Sequence, residues 1–245
     1  MPKRTLVVIP TYNEIESLPR VLTRLRQAVP AADVLIVDDD SPDGTGKWAD
    51  AQAQDDPAIH VMHHGVKAGL GGAYVDGFTW GLGEGYDVLC TMDADGSHRP
   101  EQLPSLLKAI DDGADLAIGS RWIRGGEVVN WPKSREFLSR GGNIYIAAVM
   151  GLRIRDATAG FRAFRADLLR RVDLSSVDAR GFVFTVDMSR RAVAAGANVV
   201  EVPISFVERE AGVSKMSSDI FFESLGKVTR WGIRMRLARL HPKRH

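Results

Sequence analysis

The chain has one cysteine in 245 residues, Cys90, which excludes an internal disulfide and a multi-cysteine zinc site. That usage fits a reducing compartment. Long hydrophobic runs are missing as well. The longest nearly apolar stretch, Ile144 to Leu152, is about half of the ~20 residues that span a bilayer, so no segment is expected to cross a membrane. Leu6 to Ile9, before Pro10, is too short for a signal-peptide core and reads better as a first strand. There is no internal repeat and no Pro/Ser-rich linker. Nor is there an excess of charge: 32 Lys and Arg oppose 31 Asp and Glu, which excludes an obvious polyanion binder. The balance is uneven along the chain, however. Lys227 to His245 holds seven basic residues and no acid, a +7 tail on a −6 body. Hydrophobic residues at 44% and charged residues at 26% are ordinary globular values and exclude a disordered or low-complexity chain.

Short apolar runs alternate with amphipathic stretches. Leu6–Ile9, Val34–Val37, Ile59–Met62, Val88–Met92 and Leu116–Ile118 read as strands. Helical patterns fall on Leu18 to Leu25, Gly71 to Leu82 and Leu103 to Ile110. Apolar runs separated by helices mark a mostly parallel sheet in an α/β layer fold. The first ~120 residues are expected to be doubly wound, with ligand at the carboxyl ends of the strands. Beyond Arg121 the rhythm changes: a helix is expected over Ser134 to Met150, a strand over Phe161 to Phe164 and a helix over Val183 to Ala195. Strands near Asn198 to Val202 and Ile204 to Val207 and a final helix after Ser217-Ser218 complete the chain. The division expected is one domain over 1–216 and a basic helical appendage over 217–245.

Four polar clusters carry the chemistry. Asp93-Ala94-Asp95 follows the fourth strand, where both carboxylates can reach one cation. Mg²⁺ and Mn²⁺ take such oxygen ligands together with substrate phosphates, and offset charge on a departing diphosphate. Taken alone, the pair also reads as a solvated turn. Asp38-Asp39-Asp40-Ser41-Pro42-Asp43-Gly44 follows the second strand; turn chemistry explains its second half but not three consecutive aspartates, which suit ribose hydroxyls or a base edge. Pro10-Thr11-Tyr12-Asn13-Glu14 follows the first strand, where Tyr12 can pack on a base or the segment can simply turn into a helix. Lys67-Ala68-Gly69-Leu70-Gly71-Gly72 is a glycine-rich helix entry whose N–H groups suit phosphate, without matching either standard phosphate fingerprint. Singly each is ambiguous. Together they converge on one rim of a parallel sheet, which random surface decoration would not produce.

These motifs resemble the inverting nucleotide-sugar glycosyltransferases of the GT-A fold. Val202-Pro203-Ile204-Ser205-Phe206-Val207-Glu208-Arg209 and Gly212-Val213-Ser214-Lys215 narrow the resemblance to dolichol- or polyprenol-phosphate mannose synthases, as do Gly119-Ser120-Arg121-Trp122, Ser139-Arg140-Gly141-Gly142-Asn143 and Gly160-Phe161-Arg162. The resemblance covers residues ~4 to ~220. It implies GDP-mannose as donor, a polyprenyl monophosphate as acceptor, and a place on the cytoplasmic face of a membrane. By it, Pro10, Tyr12, Glu14, Val37 and Asp39 contact the donor nucleotide, and Asp93, Ala94 and Asp95 form the metal–diphosphate site with Mg²⁺ or Mn²⁺; Lys67, beside the glycine-rich helix entry, is a further donor-binding candidate. Ser97 stands where some relatives carry Gln as a further metal ligand. Arg121, Arg209 and Lys215 match positions around the phosphates, and Asp187 lies where broader relatives place a base, here a candidate for orienting the sugar or an arginine.

An acceptor phosphate is already anionic at neutral pH, so the reaction needs positioning and charge neutralisation more than a general base. Arg121, Arg135, Arg140, Arg209 and Lys215 supply cations for that purpose, Arg135 and Arg140 equally reading as surface charge on a helix. In the tail, Leu225, Val228, Trp231, Gly232 and Met235 share one helical arc with Phe221, opposite Lys227, Arg230 and Arg234. Such a face suits an anionic membrane interface, or else packs on the body. No nucleic-acid motif accompanies the basic residues. The alternatives left open are another hexose donor such as UDP-glucose, a nucleotidyltransferase, and a non-catalytic nucleotide-sugar-binding module.

Overall fold

The structure, a computed structural model, describes residues 3–65, 69–177, 183–208 and 226–234. Strand β1 (Thr5–Thr11) is buried on both faces. Leu6 and Val8 enter one apolar cluster and Val7 and Ile9 another, so period-two alternation divides one strand between two cores. Helix α1 (Leu18–Ala28) buries Leu18, Val21, Leu22 and Leu25, the helical period of one face, against the Val7–Ile9 side. β2 (Asp33–Asp38), α2 (Thr45–Asp55) and β3 (Ile59–His63) follow. The sequence reading passed over α2 because it buries only Thr45, Gly46 and Ala49, too small an apolar stripe to produce a period.

Helix α3 (Gly69–Gly83) crosses the opposite face. A methyl on Gly77 would lie 2.5 Å from Val8 Cγ1, and one on Gly81 would lie 2.6 Å from Leu89 Cδ2. The two glycines, one turn apart, let the helix lie directly on the sheet; overpacking of this kind costs about 1–3 kcal/mol. Then come β4 (Val88–Thr91), α4 (Leu103–Asp111), β5 (Leu116–Ser120), β6 (Glu127–Val129), α5 (Lys133–Met150), β7 (Arg162–Arg165), α6 (Ala166–Arg171), α7 (Val183–Ala194), β8 (Val199–Pro203) and β9 (Ser205–Val207). Neither α6 nor β6 is visible as a pattern in so few residues.

Among the described residues one sheet runs β3-β2-β1-β4-β7-β5-β8. All its pairings are parallel except those of β7, which runs antiparallel to β4 and β5. The two adjacent strands expected near 198–207 separate at Ile204: β8 completes this sheet, while β9 pairs in parallel with β6 as a small second sheet. The carboxyl ends of β1, β2 and β4 thus lie side by side, followed within two residues by Tyr12, Asp39 and Asp93.

Residues 226–234 are helical and dock on the body. Val228 is completely buried, Trp231 packs on the larger core, and a methyl on Gly232 would collide with Val149 of α5. Of the two readings of this arc, packing on the body is the one found for Val228, Trp231 and Gly232. Phe221, Leu225 and Met235 lie outside the described residues, as do Arg236 and Arg239.

Candidate active site

At the β2 terminus the aspartates divide by role. Asp38 is buried and saturated: its carboxylate accepts from Thr11 Oγ1 (2.9 Å), Ser41 Oγ (2.6 Å) and Ser41 N (3.0 Å), which ties β1 to the turn. Asp40 is exposed at φ 60°. Asp39 lies between them and is 5% exposed, with Oδ1 2.7 Å from His64 Nδ1 and Oδ2 accepting from Gly69 N at 2.8 Å. His64 Nε2 lies 3.2 Å from Asp76 Oδ2, off the hydrogen-bond direction, so the ring stands between two carboxylates. Asp43 accepts from Thr45 N and Oγ1 and from Ile15 N. Burial pushes its carboxyl up, but these donors outweigh that and hold it below its ordinary value.

Tyr12 and Glu14 are partly buried beside this turn, Glu14 accepting from Ser17 Oγ at 2.7 Å and donating its N–H to Thr45 Oγ1. Pro10 is partly exposed and pairs in register with Val37. The Val37 side chain belongs wholly to the core, so only its backbone can face a nucleotide. Lys67 lies outside the described residues.

At the β4 terminus, Asp93 and Asp95 are held by different means. Tyr74 on α3 donates to Asp93 Oδ1 at 3.0 Å. Burial, then the Asp93 charge, pushes the Tyr74 phenol well up, which keeps it a donor. The Asp93 N–H donates to His98 Nδ1 at 3.0 Å, and the His98 ring stacks on Phe161. His98 thus shapes the turn, as a turn residue would. Gly160 lies beneath the carboxylate, where a methyl would come 3.7 Å from Asp93 Oδ2. Asp95 Oδ1 accepts from Ser97 N (3.0 Å) and Ser97 Oγ (2.6 Å). With Ser97 1% exposed and its hydroxyl directed at Asp95, this residue orients a carboxylate in this structure. Ala94 is buried between the two acids.

Among the arginines expected to meet the acceptor phosphate, Arg121 is 7% exposed. Its Nε and Nη2 form a two-pronged pair with Asp156, each bond 2.7 Å, and Nη2 also donates to Thr158 Oγ1 at 2.9 Å. Arg135 pairs with Glu208 at 2.7 Å and lies 4.0 Å over the Trp131 ring, which Arg121 also approaches. Arg140 instead pairs with Glu136 and lies 4.3 Å over Trp122. Arg121 therefore lies between the two indoles, 5.2 Å from the Trp122 ring that Arg140 covers and 5.6 Å from the Trp131 ring that Arg135 covers. The indole Nε1 atoms of Trp122 and Trp131 are buried without a partner among the described residues. Buried donors of this kind are rare enough to call for a ligand or solvent. Val207 N donates to Ser97 O at 3.2 Å, which fastens β9 to the Asp95 turn. Arg209 and Lys215 lie outside the described residues.

Residues 6–173 match glycosyltransferase family 2. The chain belongs to that family. It is 58% identical over 233 residues to an undecaprenyl-phosphate mannosyltransferase from Micrococcus luteus, covering 95% of this chain and 96% of the relative. It is 56% identical over 238 residues to a polyprenol monophosphomannose synthase from Mycolicibacterium smegmatis, covering 97% and 90%. The fold is also that of glucosyl-3-phosphoglycerate synthase from Mycobacterium tuberculosis, solved with Mn²⁺, uridine diphosphate and glucosyl-3-phosphoglycerate, at TM-score 0.64 and 18% identity over 97% of this chain and 80% of that one. The rim of this glycosyltransferase accordingly stands on a GT-A fold.

Two further residues set its geometry. Arg162 is completely buried and donates to Ala157 O, Ala159 O, Thr185 O and Ser189 Oγ. Burial lowers its pKa to about 10, opposed by the charges of Asp156 and Glu201, so the guanidinium remains charged at neutral pH. It pins the 156–160 loop, which carries both the partner of Arg121 and the glycine under Asp93, to α7. Asp187 is 1% exposed on α7 and takes Arg190 through Oδ1 and Arg191 through Oδ2. Both arginines lie on α7 itself, one turn along from Asp187. The sequence reading missed Tyr74, His64, Asp156 and Thr158. None stands in a motif, and each becomes a site residue through a contact that only the fold creates.

Proposed function

We propose that this family 2 glycosyltransferase moves mannose from GDP-mannose to a polyprenyl monophosphate, giving polyprenyl-phosphate β-mannose and GDP. The carrying observation is that the likeness to the two mannosyl-transferring relatives runs through 95–97% of the chain. It therefore extends past residue 173, where the general family match stops, into the segment that includes Glu208. The donor nucleotide is assigned to Pro10, Tyr12, Glu14, the Val37 backbone, Asp39, Lys67 and Ala94.

The Asp93–Asp95 turn fits a divalent cation of the Mg²⁺ or Mn²⁺ kind. Among the described residues no three His, Cys, Asp or Glu side chains form a closed cage, and such ions commonly use one or two carboxylates, completed by water and substrate phosphates. The metal supplies neutralisation of the departing diphosphate when bound. Arg121, Arg135, Arg209 and Lys215 receive the acceptor phosphate, with the two unpartnered indole N–H groups as further donors and Arg140 at the flank. Because the phosphate is itself the nucleophile, no base is required, in keeping with an Asp187 already engaged by two arginines. Attack in line with the leaving diphosphate inverts the anomeric carbon.

The acceptor implies a membrane surface, and no described helix is long and apolar enough to cross one. Of the six exposed large hydrophobic residues described, Phe137, Leu138, Ile144 and Tyr145 lie on α5 and Ile233 on the helix packed against it. That concentration supports peripheral attachment through α5 and residues 226–234 together, with Arg230 and Arg234 exposed beside it for anionic lipid. The test follows label from GDP-mannose into an organic-phase product in the presence of polyprenyl phosphate and Mg²⁺ or Mn²⁺, with UDP-glucose in parallel. Chelator-sensitive transfer of mannose is expected. Transfer from UDP-glucose alone would replace the sugar, and nucleotide binding without transfer from either donor would reduce the protein to a binding module.

A further inference from the structure

Immediately after α5 the chain runs Leu152-Arg153-Ile154-Arg155, with Leu152 and Ile154 buried and Arg153 and Arg155 exposed. Extended alternation places the two arginines on one side. The nearby Glu201 carboxylate does not serve them, because it accepts the backbone N–H groups of Arg155 and Asp156, each at 2.9 Å. Neither arginine side chain forms an ion pair or hydrogen bond among the described residues. Both line a groove of about 600 Å³ whose other walls include Trp122, Arg140 and Ile144. Arg140 is already stacked on Trp122 and paired with Glu136, so the two free guanidinium groups are those of Arg153 and Arg155. Ile144, 70% exposed, is at once a wall of this groove and part of the apolar surface of α5 that includes Phe137.

A cationic groove opening beside an exposed apolar ridge is complementary to an amphiphilic anion. We propose that it binds the phosphate of an anionic phospholipid headgroup, taken from the membrane on which α5 rests. Guanidinium forks match phosphate oxygens, and the apolar walls meet the start of the acyl chains. The groove adjoins the acceptor position proposed above and shares Trp122 and Arg140 with its edge, but Arg153 and Arg155 are not among the residues assigned to the acceptor phosphate. It would hold the enzyme at a fixed height and rotation while a different lipid reacts. The inference rests on the membrane attachment proposed above.

The test measures sedimentation of the full chain with phosphatidylcholine vesicles, with and without about one third phosphatidylglycerol. A basic residue at an anionic surface contributes about fivefold in partitioning, so Arg153→Gln with Arg155→Gln should lose about 25-fold on the anionic vesicles only. Thermal midpoint, and transfer to detergent-dispersed acceptor, should stay unchanged. A control, Lys47→Gln with Arg170→Gln, removes the same charge from other exposed positions and should lose much less. Equal losses in the two double variants would replace the site with diffuse attraction and overturn it. Undiminished binding by Arg153→Gln/Arg155→Gln would overturn the site while leaving membrane attachment standing. A wild-type chain that ignores every vesicle would overturn both.

Discussion

Along the proposed donor rim, Asp38, Asp43 and Asp95 take hydrogen bonds from Ser41, Thr45 and Ser97, two or three residues away in the chain. On the proposed acceptor flank Arg121 reaches Asp156 and Arg135 reaches Glu208, 35 and 73 residues on. The rim is therefore assembled by turn chemistry as soon as the parallel strands align, while the flank exists only once β7, β9 and α5 are all in place. Carboxylates that must stay anionic are preorganised by neutral donors. The cations proposed to meet a lipid phosphate are instead held on tryptophan faces and by carboxylate partners, from which an incoming anion can draw them.

The largest effect expected from breaking this contrast is on the flank. Asp156→Ala leaves the Arg121 guanidinium buried without its partner and should cost about 3–5 kcal/mol of stability, read by denaturant unfolding. Asp95→Asn on the rim should do the reverse: the thermal midpoint should hardly move, while kcat falls by about 10²–10³-fold through loss of charge stabilisation. If both variants behaved alike, the rim and the flank would not differ in the way described.

How legible each part was follows from the same distinction. The clusters after β1, β2 and β4 could be read because a strand end, an Asp-rich turn and a helix start are all local. The sheet was legible because strands buried on both faces make continuous apolar runs. Asp156 was not, because a single aspartate in Arg155-Asp156-Ala157 bears no mark of an arginine one strand away. α2 was invisible for want of an apolar face. The tail shows the limit of periodicity: Val228, Trp231 and Gly232 do share a face, but the pattern does not say whether protein or membrane covers it. Val149 and the larger core cover it.

A smaller effect tests one of the long-range supports on the rim. His64→Ala should weaken GDP binding and raise the KM for donor about tenfold through the lost hydrogen bond to a carboxylate, with kcat nearly unchanged. His64→Asn, whose amide can reach Asp39 from the Nδ1 position, should recover part of that loss. A fall in kcat with an unchanged KM would take His64 out of donor binding.

The smallest effect concerns Asp43, whose carboxyl is held below its ordinary value in the folded chain. Its contribution is present above the unfolded value of about 3.9 and is lost as pH falls through the lower folded value. Because the group is exposed, the amount is screened and stays under about 1 kcal/mol. Asp43→Asn should narrow the stability difference between pH 6 and pH 3, each an approximate working value, as followed by thermal melts. An unchanged pH profile would remove the Thr45 and Ile15 donors from the account.

The rim and the flank are held to meet across one anomeric carbon, with no protein group bonded to the sugar between donor and acceptor. The most direct measurement is the anomeric configuration of the mannosyl phosphate product, determined by NMR before it can hydrolyse. A β-linked product from α-linked GDP-mannose is the predicted result. An α-linked product would require two displacements and an enzyme nucleophile, and would contradict the account.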